Sequence, residues 1–322
     1  MSYDLSIIDH ARIMFGESFR QACEQTQSRL RNRVTVSTGL TGTTLTRDMD
    51  APAVVGENVT GQRFKQVNVV ELDSAIRYIY PERYQKPTFE ERWDANTIAP
   101  LVSPAGRHSR QHQVAFNKFV DTLVLTQLLG NASEATSGSN TPSTIALPAA
   151  QKIAKDYVAS GSATDSGLTV DKLLYALEKL AEAEVYGPDQ EEMGITLHIA
   201  TNAKVNSTLL REVNSGIGAK LLSKDYMPPT LDSNGYIKSF LGINFVRTEL
   251  ISTVTSDDDK VALCPLWASD CFELGFWEDL NITIDRRADL SNALQFLSQA
   301  SIGAGRLKDE GVIQIAARTG AA

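Results

Sequence analysis

Residues 103–130 read SPAGRHSRQHQVAFNKFVDTLVLTQLLG. Ser103 is a good N-cap, Pro104 suits the first helical position and Gly130 is a natural stop. Between them Phe116, Phe119, Val120, Leu123, Val124, Gln127 and Leu128 recur at three- and four-residue steps. That spacing predicts one apolar stripe on a helix of about 26 residues, about 39 Å long. Three or four turns are usual in a globular domain, so this helix is long enough to act as a spine. Its polar half (Arg107, His108, Arg110, Gln111) comes first and its apolar half, from Leu123 to Leu129, comes last.

Upstream, residues 61–95 alternate in a strand-like pattern: Phe64, Val67, Val69, Ile76, Tyr78 and Tyr80 are apolar or aromatic, with a turn expected near Asp73-Ser74. The segment balances Arg63, Lys65, Arg77, Arg83, Lys86 and Arg92 against Glu71, Asp73, Glu82, Glu90, Glu91 and Asp94. An isolated two-stranded hairpin is marginal in water. Balanced charge with aromatics therefore suggests a projecting hairpin covered by another subunit, against the alternative of a hairpin within this chain's own sheet. On the first reading, deleting residues 66–90 leaves a folded subunit that cannot assemble. Residues 35–59 are rich in threonine and glycine without a period, and predict an extended arm, disordered or laid across a neighbour. Residues 5–33 predict a first helix with Ile8, Ala11, Phe15, Phe19, Ala22 and Leu30 on one face. Arg29, Arg31 and Arg33 then sit at its C-terminus, complementing the helix dipole or meeting an internal partner or packaged nucleic acid.

Downstream of Gly130, residues 131–149 read as a small-polar connector, and Gln151–Ala159 as a strand or short helix. Thr169 caps a helix lined by Val170, Leu173, Leu174, Leu177, Leu180 and Ala181, ended by Gly187-Pro188. Ile195–Thr201 predicts a buried strand, and Asn202 caps a helix running to Val213. A loop-rich segment, 214–236, precedes strands at Ile243–Arg247 and Val261–Cys264. The last fifty residues are again strand-like, with Gly303-Ala304-Gly305 interrupting one run and Glu310-Gly311 making the final turn. Helices and strands are segregated in irregular order, an α+β signature.

At 322 residues with 42% hydrophobic and 22% charged residues, the chain can bury two cores. A net charge of -8 argues against a protein that grips phosphate, though not against one that encloses nucleic acid. No apolar run reaches membrane-spanning length, and residues 1–15 have no signal-peptide pattern. Cys23, Cys264 and Cys271 form no metal or disulfide spacing. His108 and His112, four apart, lack the glutamate of a zinc-protease helix and read as a polar first turn. Asp257-Asp258-Asp259 lacks an EF-hand's spaced oxygens and reads as a solvated turn. The GxG pairs at 216–218 and 303–305 stand outside any phosphate-binding motif. The acidic residues from Glu182 to Glu192 read as a wet rim or as a loop facing a like loop on another subunit. Catalytic, cofactor and metal residues are therefore expected to be none, and the protein is not expected to be an enzyme.

The order of parts resembles that of the major capsid proteins of tailed double-stranded DNA bacteriophages, the Hong Kong 97-type fold family. The segment LTVDKLLYALEKLAEAEV from Leu168 resembles the opening helix of that family's axial domain, and FLGINFVRTELI from Phe240 a characteristic strand. Ile284-Asp285-Arg286-Arg287, Ser301-Ile302-Gly303-Ala304 and Glu310-Gly311-Val312 are similar to its final sheet. The resemblance runs from about residue 55 to the end and implies an α+β capsid fold. Residues 1–60 would be an N-terminal arm with a helix, 61–95 the extended hairpin loop, and 96–167 the peripheral domain with its spine helix at 103–130. Residues 168–265 would form the axial domain, with the 214–236 loop nearest its axis, and 266–322 would return to the peripheral domain.

The function implied is a structural subunit that assembles into hexamers and pentamers of an icosahedral shell around double-stranded DNA. It would be built in the bacterial host cytoplasm and located in the virion capsid. Its partners would be itself, a portal protein, a separate scaffolding protein and a decoration or cement protein, with no membrane. Candidate inter-subunit contacts are Arg63, Phe64, Lys65, Arg77, Tyr78, Tyr80, Arg83, Lys86, Glu90, Glu91 and Arg92. Some relatives cross-link lysine to asparagine; Lys65 and Lys86 lie in the hairpin, but no cross-link is expected. The alternatives are the shell protein of a cellular encapsulating compartment and a cytoplasmic enzyme of unknown reaction.

Overall fold

The spine stretch is one helix, α1 (Pro104–Leu129), in the computed structural model of the chain. The structure describes residues 25–50, 74–90, 104–136, 141–162, 164–214, 229–256 and 259–321. The buried face of α1 is a row at four-residue steps, His112, Phe116, Val120, Val124 and Leu128, flanked by Asp121 and Leu125. Phe119 and Leu123 border it, half-buried. Residues four apart stack on one helix face, so the row lies flat on a sheet. That sheet has the strand order β1 (Thr35–Thr38), β14 (Phe272–Arg287), β15 (Ala293–Arg306), β4 (Glu82–Glu90). Phe272, Leu274, Phe276, Ala300 and Ile302 meet the helix from its inner face, and Leu30 closes the end of this core.

The second sheet has eight strands. Its path runs β7 (Lys152–Ile153), β16 (Val312–Ala321), β13 (Asp259–Ala268), β8 (Leu197–Thr201), β11 (Ile243–Arg247), β10 (Ile237–Phe240), β9 (Thr230–Leu231), with β12 (Thr253–Ser256) pairing β13 alongside. α2 (Val170–Glu182), the short α3 (Pro188–Glu192) and α4 (Ala203–Asn214) complete this half. The Thr169 hydroxyl accepts from Lys172 N, and Asn202 Oδ1 accepts from Val205 N at 2.8 Å, so both predicted caps close their helices. A third sheet, β2 (Leu45–Asp50), β3 (Ser74–Ile79), β5 (Ala132–Thr136), β6 (Ser143–Ile145), stands beside the C-terminal end of α1.

Several expectations change. Of the predicted hairpin, residues 61–73 and 91–95 lie outside the described residues; within 74–90 Ser74 opens β3 rather than a turn, and β3 and β4 do not pair but reverse at Tyr80-Pro81 between strands of different sheets. Proline lacks the N–H a ladder needs, so Pro81 separates the two pairings. Deleting 66–90 would remove a strand from each of two sheets and would not leave the subunit intact. Residues 25–30 are not helical, and Arg31–Arg33 form one 3-10 turn; residues 1–24 lie outside the described residues.

Among the described residues the three arginines therefore complement no α-helix end. Arg29 Nη1 donates to Arg247 O at 2.6 Å, Arg31 pairs Asp279 at 2.7 Å over the Phe276 ring, and Arg33 O accepts from Trp267 Nε1. Over its described part, residues 35–50, the predicted arm lies on its own chain: β1 runs parallel to β14 and β2 antiparallel to β3, while residues 51–59 lie outside the described residues. The predicted connector after Gly130 supplies β5 and β6, whose small polar residues suit an edge of the third sheet. Gly303 and Gly305 do not interrupt β15, which continues to Arg306. Asp259 opens β13, buried and paired with Arg318 at 2.8 Å, so it is not a solvated turn. The final strand, β16, pairs β13 and β7 in the second sheet rather than β14 or β15.

Candidate assembly surface

β14 and β15 form a long antiparallel hairpin that β4 extends, in a register from Glu82↔Ile302 to Glu90↔Leu294. Its tip turns through Ser291 and Asn292, both with positive φ (51° and 58°), the conformation that tight hairpins require of their central residues. β1 pairs β14 only from Glu273 to Phe276, so beyond Phe276 the tongue has three strands and two open edges among the described residues. Two faces follow from strand alternation. Tyr84 and Thr88 face α1: the Tyr84 and Phe119 rings lie 4.2 Å apart, and Thr88 Oγ1 lies 2.9 Å from His112 Nε2. Burial and a hydrogen bond to Glu82 push the Tyr84 phenol above its ordinary pKa. His112 Nδ1 lies 2.7 Å from Ser298 Oγ, so this imidazole rivets β4, β15 and α1 together.

On the opposite face of β4, Arg83, Gln85, Pro87 and Phe89 are exposed, Phe89 by 47%. Lys86 is exposed too, and neither Arg83 nor Lys86 has an ion-pair partner among the described residues. At the corner Tyr80 is 43% exposed and its ring stacks on that of half-buried Tyr78. Ile284 and Leu290 add apolar surface toward the tip.

The candidate contacts thus separate. Tyr80, Arg83 and Lys86 are exposed; Tyr78 and Glu90 are half-buried; Arg63, Phe64, Lys65, Glu91 and Arg92 lie outside the described residues. Arg77 is not available to another chain. It is buried and pairs Glu134 at 2.7 Å and Asp309 at 2.8 Å, because its position on β3 faces β15 and not solvent.

Four polar centres, three unmarked in the sequence pattern and the fourth misassigned, hold this surface in place. Asp121, fully buried in α1, accepts from Ser28 Oγ at 2.6 Å, from Arg29 N and Leu30 N, and from Gln25 Nε2. It thereby fastens the arm to the spine. Glu273 in β14 accepts from Arg47 Nε at 2.7 Å and from Ser37 Oγ. Burial opposes its ionisation, but the Arg47 and Ser37 hydrogen bonds outweigh it and hold the carboxyl below its usual range. Arg306 donates to the Leu128 and Gly130 carbonyls and pairs Asp309, capping α1. His112 is the fourth, and its signal was present: it lies on the same four-residue row as Phe116 and Val120. The expected polar first turn is a buried link instead. Among the described residues no group of three His, Cys, Asp or Glu could hold a metal. Burial pushes the Cys264 and Cys271 thiols up to about 12, which makes both inert.

A family model described as phage capsid protein matches residues 7–318 of this chain. The chain belongs to the phage capsid protein family. Solved capsids share its fold. The capsid protein of cyanophage Pam1 superposes with a TM-score of 0.64 at 11% identity, over 92% of this chain and 94% of the other. The acid-stable capsid of Helicobacter pylori bacteriophage KHP30 gives 0.64 at 9% identity, covering 89% and 88%. The capsid of Ralstonia phage GP4 gives 0.62 at 11% identity, covering 92% of each. No curated protein sequence matches the chain. The subunit is a major capsid protein with an α+β capsid fold, a structural component of an icosahedral virion shell and not an enzyme. A capsid protein assembles with copies of itself, so self-association is a property of this subunit.

Proposed function

We propose that this capsid protein builds its shell from hexamers and pentamers around double-stranded DNA, and that the outer face of β4 is a principal contact between neighbouring subunits. One observation carries the reading: Arg83 and Phe89 lie exposed on a strand face whose other side is riveted to α1, with exposed Tyr80 at the adjoining corner and Lys86 exposed on the same strand. A rigidly backed strand with aromatic groups and unpaired cations is a ready half-interface. Mixed charge on it favours correct docking more than raw affinity. Many such modest contacts add up when a closed shell repeats them. Arg63, Phe64, Lys65, Glu91 and Arg92, outside the described residues, are proposed as further contacts between subunits.

The acidic subunit encloses DNA without gripping it, since a net charge of -8 disfavours tight phosphate contact. A portal protein, a separate scaffolding protein and a decoration or cement protein are its further partners, and assembly takes place in the host cytoplasm. Reversing Arg83 and Lys86 together to glutamate tests the contact. Particle yield by sedimentation and negative-stain imaging should fall about tenfold or more. The far-ultraviolet spectrum and melting of the unassembled subunit should stay unchanged. Normal shells from the double variant would remove β4 from the interface.

A further inference from the structure

Lys172, in the first turn of α2, is fully buried, yet no carboxylate lies within ion-pair distance of it among the described residues. Its Nζ lies 2.8 Å from Lys155 O, 2.9 Å from Gly167 O, 3.1 Å from Ser166 O and 3.1 Å from Ala316 O. An ammonium has three protons, so four carbonyl oxygens surround it as they would a coordinated ion. Uncharged carbonyl oxygens arranged round one centre are the ligand set that replaces the hydration shell of a monovalent cation.

The oxygens also mark a particular place in the fold. Ser166 N donates to Lys155 O at 3.1 Å, so residues 155–166 leave and return at one neck. Arg318 N donates to Ser166 O at 3.0 Å, joining that neck to β16, the strand that also supplies Ala316 O. The charged side chains around the cage are Asp156, Asp165 and Glu212, with the Cys264 thiol; Lys155 Nζ turns away to pair Asp165 at 3.0 Å. Burial pulls Lys172 down to about 8, which still leaves it protonated at pH 7.

We propose that the carbonyls of Lys155, Ser166, Gly167 and Ala316 form a monovalent-cation site whose built-in occupant is the Lys172 ammonium, and that this site keeps the 155–166 loop closed against β16. Alanine at 172 removes the equivalent of one n-propylammonium ion and leaves the oxygens in place. In the full-length chain Lys172→Ala should lower the melting temperature by about 5 °C or more in sodium chloride. Replacing the sodium with about 0.1 M n-propylammonium chloride should restore at least half of that loss without raising the wild-type value. Limited proteolysis within residues 155–166 should accelerate in the variant and slow again with the amine.

An equal response of variant and wild type to n-propylammonium would overturn the site. So would a Lys172→Met protein, close in volume but uncharged, that melts with the wild type. If Lys172→Ala does not stay folded, its refolding yield in n-propylammonium against sodium gives the same reading, and no gain counts against the proposal.

Discussion

At Arg306 one guanidinium closes the end of a helix and holds together parts of two sheets. Its Nη1 donates to the carbonyls of Leu128 at 3.1 Å and Gly130 at 2.8 Å, where α1 runs out of internal donors. Its Nε meets Asp309, whose other oxygen binds Arg77, which in turn holds Glu134. Arg306→Lys keeps the charge but cannot present the fork to carbonyls and carboxylate together. We expect a loss of about 3 kcal/mol in urea unfolding of the unassembled subunit, and a wild-type midpoint would refute this account. None of this network could be read from the sequence, because its members stand at 77, 134, 306 and 309 and a lone charge in a strand pattern looks solvent-facing. His198 is a second such residue. It is buried on β8 with Nε2 2.8 Å from Thr196 Oγ1, and burial, with Arg33 adding to it, pulls it down to about 4. The unfolded chain takes up this proton near pH 6.5 while the folded chain resists, so stability is complete above about 6.5 and declines as pH falls toward 4. The ceiling is about 3 kcal/mol. His198→Gln should therefore flatten the melting-temperature profile between pH 7 and 4; an unchanged slope would assign the acid sensitivity elsewhere.

Pattern reading succeeds for elements whose burial is one-sided and fails where an element's partner is remote. α1, α2 and α4 were legible because cap and stripe agree within each, and β8 and β11 because each is a short apolar run bounded by polar residues. β3 and β4 were legible as strands but not as members of different sheets, since alternation carries no information about the neighbour. The glycines at 303 and 305 show what decides it. A Cβ at Gly303 would stand 2.5 Å from Tyr80 O, and one at Gly305 would stand 2.7 Å from Ile79 Cγ1. These positions are bare so that the Ile79-Tyr80 corner can cross β15 at close range, a packing role that reads in sequence as a break. The arm is the other element misjudged from composition. Its threonines and glycines have no period, yet Thr35–Thr38 pair β14, and just before them residues 25–34 are fastened by hydrogen bonds to Asp121 together with burial of Leu30 and Val34 in the α1 core. Asp121→Asn keeps the shape but sets an amide NH2 against main-chain donors. We expect a cost of about 1–3 kcal/mol, with protease cleavage of residues 25–34 accelerating while α1 retains its helicity. Unchanged cleavage would mean that β1 alone anchors the arm.

The molecule as a whole places its two cores on the two faces of one sheet. In β8, Leu197 and Ile199 point toward α2 and α4, while Ala200 points toward α1. In β13, Cys264, Leu266 and Ala268 join the first core and Trp267 the second; in β16, Ile313 and Ile315 join the first and Val312 the second. The helices and strands that feed each core are legible in sequence from their own patterns. The shared sheet is not, because a strand buried on both faces reads as a plain apolar run. This arrangement bears on how the subunit unfolds. Two domains joined by a linker melt separately, but a layer common to both cores cannot lose one face without exposing the other. Stripping α1 away would leave Trp267, Val246 and Val312 bare, and unravelling the α2–α4 side would bare Leu266 and Ile313, so either partial state pays for a large wet face. We therefore expect one cooperative transition for the unassembled subunit despite its 322 residues. Tryptophan fluorescence, in which Trp267 reports the α1 side, should coincide with far-ultraviolet circular dichroism, and calorimetric and van't Hoff enthalpies should agree. Two resolved transitions would show that the halves are separable, and that the eight-stranded sheet follows one core without the other.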